Sequence, residues 1–342
     1  MAATLRIDRT AHRSGPGKPL SARIRAVFLK WIALCSVGLV AMPAAVRAEY
    51  PDRPIRIVSP WPAGGSGDLV ARVFADFLAR KTGASVVVEN RTGGSGGIGT
   101  TAVARAAPDG YTLLVTTSEP LTINPTVSPE LQYVVARDFE PIALIARTHF
   151  VVVAKRSFAP NDLQQLIATA RANPGKVTVA TYGIASLFVP YFESLTGTQF
   201  LKVPYQGAAP ATAAVLSDTV DFTIVATSTA GPVREKAKLL GVSSATPVES
   251  LPGVRPFADQ GLAEFRIGNW IGMLGPRGMP PEAFQWLANA TRNIVQSPEF
   301  RTQLSDRGID AAYGSSVDLA ALIDSEATRW RKLIEDRDLK LN

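Results

Sequence analysis

Three short segments of this sequence carry the residues best placed to do chemistry. The first is Pro60-Trp61-Pro62-Ala63-Gly64-Gly65-Ser66-Gly67-Asp68, between an apolar run and an amphipathic stretch. Its glycines remove side chains, so backbone N–H groups and the start of the following helix can face an anion directly. The same residues also suit a tight turn in which Ser66 or Asp68 caps that helix. The second segment, Tyr182-Gly183-Ile184-Ala185-Ser186, offers the Ser186 hydroxyl either to a helix N-terminus or to a carboxylate. The third is Thr117-Ser118-Glu119 with Asn124. Two strand-to-helix loops of this kind, one from each of two domains, would hold one anionic group from opposite sides.

Two enzyme motifs compete with that reading. Gly94-Ser95-Gly96-Gly97-Ile98-Gly99 fits the dinucleotide fingerprint literally, but Asn90-Arg91-Thr92-Gly93 separates it from its strand. The acid that should follow at a strand end is Asp109, inside a Pro-Asp-Gly turn, so no nucleotide cofactor is expected. The stretch Gly93 to Gly97 also matches a nucleophile elbow, with Ser95, His149 and Asp109 or Asp138 in Ser, Asp, His order. A secreted serine hydrolase using Ser95 and His149 is therefore the alternative function. His149 is the only histidine after residue 48 and opens an apolar strand, where a packed histidine is the commoner case. One histidine and no cysteine after residue 48 do not make a zinc set, and no metal is expected.

The elements that position these loops read as an α/β alternation with mostly parallel strands. Strands are expected at Ile55–Ser59, Ser85–Glu89 and Thr112–Thr116, with helices at Leu69–Thr82 and Ile98–Ala106. Val70, Val73, Phe74, Phe77 and Leu78 give the first helix one buried face. The alternation restarts with strands at His149–Ala154, Val177–Thr181, Phe222–Ala226 and Leu239–Ser244, and helices at Asp162–Ala172 and Leu187–Leu195. The tail predicts a strand at Trp270–Leu274 and helices at Glu282–Gln296 and Leu319–Arg337. If the tail packs back onto the first block, the chain crosses twice between two domains, residues 49–147 plus 268–342 and residues 148–267. Two crossings make a hinge.

Residues 1–48 read as a signal peptide. Arg23, Arg25 and Lys30 precede an apolar run from Trp31 to Ala45, too short for the about 20 residues of a membrane span. Val46-Arg47-Ala48 ends it with a small-x-small cleavage site, so export to the periplasm and a cut after Ala48 are expected. Cys35, the chain's single cysteine, follows bulky Leu34, which argues against a lipid anchor. The leader holds eight of the 36 Lys and Arg residues and one of the 29 acids, so the remainder is balanced in charge. The basic pI of about 9.6 therefore belongs to the leader, and no nucleic-acid partner is expected.

Taken in order, Tyr50-Pro51-Asp52-Arg53-Pro54-Ile55-Arg56, the loop from Pro60 to Asp68, Val87-Val88-Glu89-Asn90-Arg91 and Pro108-Asp109-Gly110-Tyr111-Thr112 form a pattern. Val203-Pro204-Tyr205 with Gly207 and Ala209-Pro210, then Leu251-Pro252-Gly253-Val254, complete it. Over essentially the whole chain after the leader, it resembles the tripartite tricarboxylate transporter substrate-binding proteins, also called Bug or TctC-like receptors. That resemblance implies a type II periplasmic binding protein fold; a monomer is expected, and a receptor needs no nucleophile or perturbed base, so no catalysis is expected. It also implies a small carboxylate-bearing solute clamped in a cleft, namely a di- or tricarboxylate, an acidic amino acid, or an aromatic acid or its amide. Delivery would be to membrane permease subunits, with sensing for a membrane histidine kinase as another use of the same cleft. The ligand-binding residues it implies, with those read from the loops, are Trp61, Pro62, Ala63, Gly64, Gly65, Ser66, Asp68, Ser118, Glu119, Tyr182, Gly183, Ser186, Tyr205, Gln206, Gly207 and Ala208. Gln206 stands where the family commonly has lysine, and Val225 and Ala226 where an acid and an asparagine often follow the strand. Tricarboxylate specificity therefore does not carry over with the fold.

Overall fold

The computed structural model describes residues 49–336 apart from 129, 249 and 266. The expected signal segment with Ala48 and Cys35, and the Arg337 end of the last helix, lie outside the described residues.

The first block is a parallel βα arrangement. Strand β1 (Ile55–Ser59) leads into helix α1 (Ser66–Thr82), and β2 (Val86–Asn90) into α2 (Gly97–Ala104); β3 (Thr112–Thr117) follows. β1 lies between β2 and β3, parallel to both. All six residues of β3 are buried, as expected of a central strand covered on both faces. α1 packs Val70, Phe74, Phe77 and Leu78 into the core, where Phe77 meets Phe300 edge-on at 5.3 Å. Its end is closed by Gly83 at φ 76°, whose N–H bonds Ala79 O, a left-handed cap that glycine adopts without a Cβ clash.

Strand β4 (Phe139–Ala154) is far longer than the expected His149–Ala154. Pro141 masks its first half in the sequence, because proline cannot donate to a sheet ladder. The structure accommodates it at a register shift between Pro141 and Ala143. Beyond β4 come α3 (Leu163–Ala172), β5 (Thr178–Thr181), α4 (Ala185–Thr196), β6 (Leu201–Pro204), α5 (Ala208–Leu216), β7 (Phe222–Ala226) and β8 (Lys238–Val242). The tail holds β9 (Gly268–Pro276), α6 (Pro281–Val295), α7 (Pro298–Ser305), β10 (Asp310–Gly314) and α8 (Ser316–Asp336). β6, α5, α7 and β10 carry weak local signals: β6 is short and exposed, and Pro210 sits in the first turn of α5. β10 reads Asp-Ala-Ala-Tyr-Gly and exists because it pairs with β4.

The strands join in the order β2-β1-β3-β9-β4-β7-β5-β6, with β8 and β10 also on β4. Residues 139–149 of β4 pair antiparallel with β9, and residues 150–154 pair antiparallel with β7. β9 also pairs antiparallel with β3, so the tail does pack back onto the first block. α8 divides its buried face. Leu319 and Ile323 join the cluster around Trp270 and Leu274, whereas Trp330 and Ile334 join the cluster around Phe188 and Phe192. Trp330 stacks on Phe188 at 6.0 Å.

Candidate functional site

The loops leaving the carboxyl ends of β1, β2, β3, β5, β6 and β7 converge on one cleft, the place where open α/β sheets bind ligands. A cavity of about 540 Å³ is walled by residues 61–67, Ser95, Thr117, Glu119, Asn124, Tyr182, residues 206–210, Ser228, Thr229 and Asn269. Ile123, Phe150, Ile184, Leu187 and Ala226 supply its apolar surface. A second cavity of about 1110 Å³ shares Trp61, Pro62, Ser95, Tyr182, Gly183, Gln206 and Gly207 with it and adds Ser186, Lys202 and Tyr205.

Helix starts dominate this wall. In α1 the first amide with an intrahelical partner is that of Leu69, bonded to Gly65 O at 2.9 Å. The amides of Ser66 and Gly67 therefore stand in the unpaired first turn. α5 starts behind Gly207 at φ 136°, and its first intrahelical bond runs from Ala211 N to Gly207 O, so Ala208 and Ala209 are placed likewise. α4 begins at Ala185, one residue before Ser186, so the Ser186 side chain makes no capping bond. Nor does Ser66 or Asp68 cap α1, whose N-cap is Gly65.

Asp68 instead lies 1 % exposed beneath the first loop. It accepts from Gly64 N at 2.9 Å, from Asn90 Nδ2 at 2.7 Å and from Arg72 Nε at 3.1 Å. Asn90 Nδ2 also donates to Trp61 O at 2.9 Å, so the pair ties both ends of the loop. Burial alone would raise the Asp68 carboxyl, but the hydrogen bonds from Asn90, Gly64 and Arg72 outweigh it and hold the group below the usual carboxylate range. The Trp61 indole packs against Gly67, where a Cβ would come within 2.6 Å of Trp61 Cδ1. Ser95 adopts φ 50°, and its carbonyl accepts from Asn124 Nδ2 at 2.9 Å.

Of the sixteen expected ligand-binding residues, the structure lines the cleft with fourteen. Asp68 and Ser118 stand behind it; Ser118, 2 % exposed, is bonded through N and Oγ to Asn269 Oδ1 at 3.0 and 2.9 Å. Asn269, Ser228, Thr229 and Phe150 line the cleft without any motif to announce them, since they arrive on β9, on the helical turn after β7 and on β4 from distant parts of the chain. Ser95 lines the cleft, but His149 opens onto a separate cavity with Asp310, 3.6 Å away, and Arg301. Asp109 pairs with Arg53 and Asp138 with Arg137, so no serine triad is assembled.

A family model described as the tripartite tricarboxylate transporter family receptor matches residues 70–339. The chain belongs to that family. Protein BugT of Bordetella pertussis strain Tohama I is 30% identical over 89% of this chain and 96% of its own. Two solved structures bear the same relation. Rpa4515 of R. palustris with adipate has a TM-score of 0.79 at 27% identity, covering 85% of this chain and 99% of that one. MatC of Rhodopseudomonas palustris with bound malate has a TM-score of 0.74 at 29% identity, covering 83% and 100%. This TctC-family chain is thus a periplasmic solute-binding protein and not an enzyme, and its α/β fold is that of the family's periplasmic receptors. No helix among the described residues is long and apolar enough to cross a membrane.

Proposed function

We propose that this receptor captures a small carboxylate-bearing solute in the cleft between two lobes, residues 49–147 plus 268–342 and residues 148–267, and hands it to the permease subunits of a tripartite tricarboxylate-type transporter. The observation that carries the reading is the convergence of the starts of α1, α4 and α5 on one cavity. The starts of α1 and α5 present unpaired N–H groups, and all three starts present the positive end of a dipole, a preformed environment for an anion. The chemistry needed is only positional: a carboxylate held by backbone amides and hydroxyls requires no nucleophile.

Closure would bend the chain at β4 near His149 and Phe150 and at the return into β9, with α8 as a strap packed on both lobes. A ligand shifts such an equilibrium by its extra affinity for the closed state. Export with cleavage after Ala48 and action as a monomer complete the proposal. Residues 49–342 are to be screened by thermal shift against di- and tricarboxylates, acidic amino acids, and aromatic acids and amides. A saturable rise in Tm with one acid, following mass action and accompanied by a smaller radius of gyration in solution scattering, is expected. No stabilisation by any carboxylate would overturn the reading.

A further inference from the structure

The cleft has a polarity that its helix starts do not explain. Among the described residues lining the inner cavity there is no lysine, arginine or histidine; the ionisable side chains are Glu119 and Tyr182. Lys202, on the wall of the adjoining cavity, is engaged by Glu193 Oε2 at 2.7 Å. Glu119 is the one carboxyl of the inner wall, and the surroundings fix how it faces.

The Ser118 backbone N–H can only donate, so Asn269 turns Oδ1 to it and Nδ2 away. Nδ2 then donates to Glu119 Oε1 at 2.9 Å. Glu119 Oε2 is buried and has no hydrogen-bond partner. Tyr182 cannot serve it, because its hydroxyl donates to Ile224 O at 3.1 Å. A further polar atom of this wall, Trp61 Nε1, is buried without a partner. Burial raises the Glu119 carboxyl, while the Thr117 hydroxyl, the Glu119 backbone N–H and Asn269 favour its ionised form; a donor brought by a ligand to Oε2 would hold the group ionised and relieve its burial.

We infer that the cleft selects a solute with one carboxylate and, at its other end, a hydrogen-bond donor such as an ammonium or primary amide, which Glu119 Oε2 receives. The inference rests on the solute-binding reading above. The helix starts hold the carboxylate, the Phe150, Ile184 and Leu187 side chains cover an apolar body, and Glu119 accepts the far end. A second ligand carboxylate at that end would meet a carboxyl and no cation. The expected ligand therefore differs from the dicarboxylates adipate and malate named with the two solved relatives.

The test uses matched sets of probes: a diacid, its half-amide and the ω-amino acid of equal length, with aliphatic chains of graded length and with a benzene ring. Calorimetric titration of residues 49–342 is expected to favour the half-amide or amino acid over its diacid by about tenfold to a hundredfold, the range for a hydrogen bond to a charged group. Glu119→Gln keeps the acceptor toward Asn269 and presents an amide donor to the cleft, so it is expected to erase or reverse that preference. Unliganded Tm checks that the variant folds, and the wild-type ratio needs no variant. Diacids bound at least as tightly as their partners by the wild type, or a preference unchanged in Glu119→Gln, would overturn the inference while leaving the receptor reading intact. Failure of every probe to bind would overturn both.

Discussion

Replacing Asp68 by alanine separates a positioning role from a ligand-binding one. Its carboxylate accepts three hydrogen bonds beneath the Trp61–Ser66 loop and is 1 % exposed. Truncation does not forfeit all three. Arg72 is half-exposed and Gly64 lies at the surface, so both regain water, while Asn90 Nδ2 keeps its bond to Trp61 O. The net loss is therefore close to one charge-assisted hydrogen bond plus a small void, about 2–3 kcal/mol, measured by denaturant unfolding at pH 7. Asp68→Asn keeps the shape and one acceptor and is expected to lose about half as much. Because the folded carboxyl is held below its ordinary range, its stabilisation is present above the unfolded value of about 3.9 and is lost as pH falls through the folded one. The gap between wild type and Asp68→Ala should thus stay constant from neutral pH to about pH 5 and shrink below about pH 4. A neutral-pH gap under about 0.5 kcal/mol, or one that persists unchanged into acid, would refute the reasoning. Ligand affinity should fall with stability, since the amides of Ser66 and Gly67 depend on the same loop.

Gly99→Ala sets helix propensity against packing. The new Cβ would lie 2.5 Å from Arg91 O and 2.9 Å from Pro60 Cβ, so overpacking of about 1–3 kcal/mol exceeds the about 1 kcal/mol gained in a helix, and unfolding midpoints should drop. Gly97→Ala, whose nearest neighbour is Leu131 Cδ2 at 3.5 Å, should be neutral or stabilising in the same measurement. Trp330→Ala removes a 1 %-exposed ring stacked on Phe188 and should cost about 3–5 kcal/mol; a loss below about 1 kcal/mol would mean that the cluster around Phe188 does not anchor α8.

Much of the architecture was legible in the sequence, because strands such as Ile55–Ser59 and helices such as Ser66–Thr82 announce themselves by local periodicity, which needs only neighbouring residues. The glycine-bearing loop after β1 was legible for the same reason, since a strand, a break and an amphipathic helix dictate where free amides stand, whereas after β5 the amides of Ala185, Ser186 and Leu187 turn back on the carbonyls of Tyr182, Gly183 and Ile184. Local pattern failed where pairing supplies the stability. The first half of β4, hidden by Pro141, and β10, with little strand propensity, exist because each finds a partner strand. The roles of individual polar groups were decided the same way. Asp68 and Ser66 look alike as caps in sequence, yet Asn90 and Arg72 draw Asp68 under the loop. Glu119 is one acid among 29 until Ser118 orients Asn269 and Asn269 orients Glu119, across 150 residues of chain. Sequence thus determined which segments carry free backbone donors, since that follows from chain geometry. Tertiary structure alone decided which side chains share the cleft and which atoms remain unpaired, since hydrogen-bond partners are chosen by proximity in space.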